Sequence, residues 1–137
     1  MKEIDIYFKN IICEVHDTAI IAVKNLYNIN ILEFNYTIDS GGKKHSEKGH
    51  SGSKRILRDD EISIVEEDFQ KLEHFIKNSS EVVGGGFSRS RKLPTIMHIY
   101  EEDNIKTYII FEILNKKKEL RFKTMYKNKK HFYQQGS

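Results

Sequence analysis

From Thr95 onward the chain alternates. Thr95 to Tyr100 and Ile105 to Leu114 set apolar against polar residues at every second position, which is the period of a half-buried strand. The acidic stretch Glu101 to Asn104 reads as the turn between them. Leu120 to Tyr126 alternates again after a second turn at Asn115 to Lys118. Three consecutive strands with short turns predict an antiparallel meander rather than a parallel βαβ sheet.

Upstream the period changes. Phe69, Leu72, Phe75 and Ile76 make one apolar face of a helix expected over Val65 to Asn78, closed by Asn78-Ser79-Ser80. Asp17-Thr18 is the expected N-cap of a helix from Ala19 to Tyr27. Ile4, Tyr7, Phe8, Ile11 and Ile12 also fit an amphipathic helix, against their β-branched content. Ile31 to Ile38 alternates and predicts a strand, ended by Ser40-Gly41-Gly42. The roughly fifteen Gly/Ser/Lys-rich residues that follow predict a loop. Val82-Val83 reads as a short strand stopped by Gly84-Gly85-Gly86. The expected architecture is α+β: N-terminal helices, then a twisted antiparallel sheet of four to five strands.

A chain of 137 residues makes a single domain by size, and 38% hydrophobic content supports a modest core. The net charge of +3 is mild, but its distribution is not. Six Lys/Arg and one acid lie between Lys43 and Arg58, and eight Lys/Arg and one acid between Lys116 and Lys130. The acids gather in Asp59 to Glu73 and Glu101 to Asp103. Segregated charge of this kind favours a polyanion or an acidic partner protein. The single cysteine, Cys13, allows no intrachain disulfide and no cysteine metal site, and reads as a small hydrophobe. No apolar run reaches the roughly 18 residues of a membrane span, and the N-terminus lacks a signal-peptide core, so no membrane contact is expected.

Two segments carry candidate chemistry. In GGKKHSEKGHSGSKR, His45 and His50 stand among Lys43, Lys44 and several serines. Metal-free RNA cleavage needs a base for the 2′-OH and an acid for the leaving 5′-oxygen, and imidazoles titrate near working pH. The competing reading, two solvated histidines in a polar loop, has equal weight. On the last strand, regular alternation would put Arg121 and Lys123 on one face and Thr124 and Tyr126 on the other, unless a bulge lets Lys123 and Thr124 share a site. The competitor there is an edge strand protected by lysines. Gly84-Gly85-Gly86 with Arg89 and Arg91 resembles a phosphate-cradling loop but lacks nucleotide-binding spacing. Two histidines without a carboxylate or cysteine partner make a poor zinc motif, so neither metal nor cofactor is expected.

The order of YTIDSGGKKHSEKGH, EDFQKLEHFIKNSSEVVGGG and LRFKTMYKNKK resembles the barnase/EndoU/colicin/RelE-type nuclease superfamily, in its phage-associated branch and the C-terminal toxin domains of contact-dependent inhibition systems. The likeness covers 31–130 as a nuclease-like core, and 1–30 is left as an N-terminal helical segment. It implies a toxic, metal-independent endoribonuclease, often cutting tRNA by 2′-OH attack in the bacterial cytoplasm. It also implies a domain delivered as part of a larger secreted protein and neutralised by an acidic immunity protein; a monomer is expected, with the oligomeric state left open. Carried onto this chain, the catalytic positions fall on His45 or His50, Lys123, Thr124 and Tyr126. Phosphate contacts fall on Arg121, with Lys43, Lys44, Arg89 and Arg91 as further candidates. The rival readings are a non-catalytic RNA-binding module and a protein-interaction domain, such as an immunity-type or phage accessory protein.

Overall fold

The alternating C-terminal half folds into the strands its pattern predicts. The computed structural model describes residues 9–50, 61–89 and 91–129, with the backbone alone at 45 and 47–50. The meander is β4 (Glu81–Phe87), β5 (Pro94–Glu102), β6 (Ile105–Leu114) and β7 (Glu119–Lys129). Asp103 and Asn104, with φ of 53° and 64°, make the tight turn between β5 and β6. Two left-handed residues suit the twist of a hairpin, and Asp and Asn tolerate that region.

Before the meander come β1 (Lys9–Glu14), α1 (Asp17–Tyr27), β2 (Asn35–Asp39), α2 (Ser40–His50), β3 (Glu61–Ile62), α3 (Glu66–Gln70) and α4 (Leu72–Lys77). Among the described residues the fold is α+β with an open sheet of seven strands. The order is β1-β2-β7-β6-β5-β4, and β3 pairs with the far end of β7. The sheet is mixed rather than wholly antiparallel, because Asn35–Thr37 of β2 run parallel to Glu119–Arg121 of β7. No helix among the described residues is long and apolar enough to cross a membrane.

Several expectations are corrected. The expected amphipathic helix at the N-terminus is, over its described part, the edge strand β1, so 1–30 is not a helical segment throughout. Ile4, Tyr7 and Phe8 lie outside the described residues. Ile11 is 66% exposed on that edge, and β-branched residues favour a strand there. The strand expected from Ile31 begins only at Asn35. Ile31 and Phe34 are buried but sit in a turn, with Glu33 at φ 72°. The helix over Val65 to Asn78 is two helices, broken at Lys71. β4 continues through its glycines with a register shift between Gly84 and Gly86, where Gly86 has φ 75°. A side chain at Gly85 would collide with the Thr95 hydroxyl, so glycine lets β4 pass.

The largest correction is α2, which replaces the expected glycine-rich loop. Asp39 Oδ1 accepts a hydrogen bond from Gly42 N at 2.8 Å, which caps the helix. A Cβ at Gly42 would stand 2.7 Å from the Phe122 carbonyl oxygen, so glycine permits close docking on β7. Between the stretches paired with β2 and β3, β7 has an edge that α2 covers. There the fully buried Ser46 hydroxyl accepts from Met125 N at 3.0 Å and donates to the Met125 carbonyl at 3.2 Å. It stands in for a missing strand neighbour. Ser46→Ala leaves both groups unpaired and should lower stability by roughly 1–3 kcal/mol. Urea denaturation checks this, and an unchanged midpoint would refute the role.

The core lies on one face of the sheet. Ala19 and Val23 of α1 and Leu72, Phe75 and Ile76 of α4 pack against Tyr36, Ile96, Ile109, Phe111, Leu120, Phe122 and Met125. His98 is buried in the same layer. Tyr36 OH lies 2.6 Å from its Nε2 and Ser79 Oγ 2.8 Å from its Nδ1. Because the Ser79 hydroxyl donates to helix carbonyls, His98 carries its proton on Nδ1 and accepts from Tyr36. Cys13 is half-buried, and burial followed by the Glu73 charge pushes its thiol up to about 11. It stays a thiol at neutral pH and is a poor nucleophile.

Candidate active site

The site is made by an irregularity in β7. Phe122 pairs with Phe111 and Thr124 with Ile110, so Lys123 is an extra residue on the β7 side of the ladder. One inserted residue resets the alternation. Phe122 and Met125 both point into the core, while Arg121, Thr124 and Tyr126 share the second face. Regular alternation, with Arg121 and Lys123 opposed to Thr124 and Tyr126, therefore does not hold.

Arg121 is 8% exposed and sits among carboxylates. Its Nη2 donates to Glu119 Oε1 at 2.8 Å, and its Nε lies 3.8 Å from Asp39 Oδ2. Lys9 Nζ also bonds Glu119. Burial pushes the Glu119 carboxyl up, but the hydrogen bonds from Lys9 and Arg121 outweigh it and hold the group below the usual carboxylate range. Across the ladder, Glu112 pairs in register with Arg121, is 4% exposed, and has Lys123 Nζ at 3.9 Å. Among the described residues, Glu112 Oε2, Arg121 Nε and Thr124 Oγ1 are buried with no hydrogen-bond partner. They occupy adjacent ladder positions on one face. A cleft of about 150 Å³ opens beside them, lined by Asp39, Gly41, Arg91, Glu112, Arg121 and Lys123.

Of the residues expected from the sequence, Arg91, Arg121 and Lys123 meet at this cleft and Thr124 adjoins it. Tyr126 is one ladder step further on, stacked on Tyr108 with ring centroids 4.8 Å apart. Lys43 is elsewhere engaged: its Nζ pairs with Glu66 at 2.7 Å and lies 5.3 Å from the Phe69 ring centre, tying α2 to α3. Lys44 and Arg89 are exposed outside the cleft lining. His45 and His50 lie on α2 rather than in a loop, and their side chains fall outside the described residues. Sequence reasoning missed Asp39, Glu112 and Glu119. Glu112 had a signal, as the one charge in the apolar run IIFEIL.

The donors and acceptors suit a phosphodiester. Two guanidiniums and an ammonium can bind its oxygens, and a buried carboxylate with an open lone pair can accept a proton beside it. Among the described residues no three His, Cys, Asp or Glu side chains gather as a metal site. Comparison of the chain with protein-family models, curated proteins and solved structures returns no significant match.

Proposed function

We propose that this chain is a metal-independent endoribonuclease with a barnase/RelE-like core, acting on RNA through the cleft at the β7 bulge. The observation that carries this reading is the burial of Glu112 Oε2 and Arg121 Nε without hydrogen-bond partners, each with only one long ionic contact, to Lys123 and to Asp39, at a cleft also lined by Arg91. Leaving the hydrogen-bonding capacity of buried charged groups unused is unfavourable unless something fills the gap, and a phosphate with an attached hydroxyl would.

In the proposed reaction Glu112 takes the proton from the ribose 2′-OH. The 2′-oxygen attacks phosphorus, the bond to the 5′-oxygen breaks, and a 2′,3′-cyclic phosphate forms. Arg121, Lys123 and Arg91 stabilise the extra charge, and Thr124 donates to a non-bridging oxygen. A proton returns to the leaving 5′-oxygen. His45 and His50, both within α2, are the candidates for the acid that supplies it. Transfer RNA as substrate, action in the bacterial cytoplasm and an acidic immunity protein over the cationic cleft complete the reading.

Purified protein incubated with total tRNA in EDTA should yield fragments ending in 2′,3′-cyclic phosphate and 5′-hydroxyl. Intact RNA, with and without EDTA, would overturn the reading. One observation favours a second one: Arg121 Nη2 is already held by Glu119. A non-catalytic RNA-binding module would use the same face, with steeply salt-dependent binding and no cleavage products.

A further inference from the structure

At the end of the sheet, beside the candidate active site, lies a larger cleft of about 500 Å³. Its floor is apolar, from Ile29, Leu93, Pro94 and Leu114, and Lys116 and Lys117 stand at its rim. Arg91 lines both this cleft and the smaller one holding Glu112, Arg121 and Lys123. The two cavities thus adjoin at one guanidinium.

We propose that the larger cleft is a mononucleotide subsite, with a nucleobase on its apolar floor and the attached phosphate held by Arg91. Its volume falls within the roughly 300–1,000 Å³ of small-ligand sites. Its lining has three cations and no carboxylate, so the ligand it complements is an anion with a flat apolar body. A nucleotide is such a molecule. Asn115 at the rim supplies both an amide donor and a carbonyl acceptor for a base edge. The choice of a nucleotide rests on the ribonuclease reading, since the shared Arg91 would then join the reacting phosphate to the neighbouring base.

The test titrates the full chain with adenosine 5′-monophosphate, ribose 5-phosphate and inorganic phosphate, followed by NMR shifts. Burying one base face on aliphatic side chains should make the nucleotide bind about tenfold tighter than ribose 5-phosphate. Magnetisation transfer should run from the base protons to the Leu93 and Leu114 methyls. Leu93→Asp should bring nucleotide affinity down to that of ribose 5-phosphate. Lys116→Ala should weaken all three ligands alike, which keeps the test usable if the first variant is unstable. Equal affinities for nucleotide and sugar phosphate in the wild type would overturn the inference. So would displacement of the nucleotide by a polyglutamate peptide of matched charge, which would assign the cleft to an acidic protein. RNA cleavage is measured separately. Cleavage without a gain from the base sinks the subsite alone, whereas a base-dependent gain without cleavage leaves the subsite and sinks the ribonuclease.

Discussion

If the proposed ribonuclease reading holds, Glu112→Gln should lower the rate of RNA cleavage by about 10²–10⁴-fold, the usual contribution of a general base. The amide keeps the shape of the side chain and its place opposite Arg121 in the β6–β7 ladder, but it cannot take the 2′-OH proton. The fold should tolerate the change. Glu112 Oε2 has no hydrogen bond, and its nearest cation is the half-exposed Lys123 at 3.9 Å. Replacing a buried open carboxylate by a neutral amide costs little and can even stabilise. The expected result is therefore a loss in kcat with KM nearly unchanged and an unshifted melting curve. A variant that cleaves at the wild-type rate would remove Glu112 from the mechanism.

Arg121→Met serves as the contrast. It strips Glu119 and Asp39 of their shared cation, so it should reduce stability as well as activity. A loss confined to kcat in Glu112→Gln, set against a mixed loss in Arg121→Met, separates chemistry from scaffolding.

The local features of this fold were legible in the sequence. Alternation located β5, β6 and the first part of β7, and the helical stripe of Phe69, Leu72, Phe75 and Ile76 located α3 and α4 without their break. Arg121, Lys123 and Arg91, which meet at one cleft, were legible as candidate site cations. What escaped was set by contacts far away in the chain. A segment with three glycines and six consecutive polar residues is a weak helix former. It becomes α2 because Asp39 caps it, Gly42 fits against Phe122, and Ser46 completes the β7 edge. The parallel pairing of β2 with β7 joins residues more than eighty positions apart, which no local pattern encodes. In the sequence, a bulge at Lys123 is only an exception to alternation. It proves to be the feature that puts Arg121 and Thr124 together opposite Glu112 and Ile110.

Acid should loosen the molecule through His98. Burial first, and then the charge of His16, lower its pKa from 6.5 to about 4. Folded His98 is neutral above that value, whereas in the unfolded chain it takes up a proton near 6.5. Between these limits the unfolded state binds more protons, so stability falls as pH drops through 6.5 and levels off below about 4. The full difference corresponds to about 3 kcal/mol. Glu119, whose carboxyl is held below its ordinary 4.5, adds a separate loss that sets in as pH falls through that value, so midpoints above pH 4.5 report on His98. Urea midpoints from pH 7 to pH 4.5 should decline steadily in the wild type and much less in His98→Gln. Equal slopes in the two proteins would assign the acid sensitivity elsewhere. The consequence reaches the candidate site, because His98 joins β5 to Tyr36 of β2, and β2 ends at Asp39, which caps α2 and faces Arg121. Protonating His98 removes the acceptor for the Tyr36 hydroxyl and leaves a buried cation under the strand that positions the cleft. RNA cleavage should therefore fail in acid together with the fold, and His98→Gln should extend activity to lower pH if it preserves the Tyr36 contact.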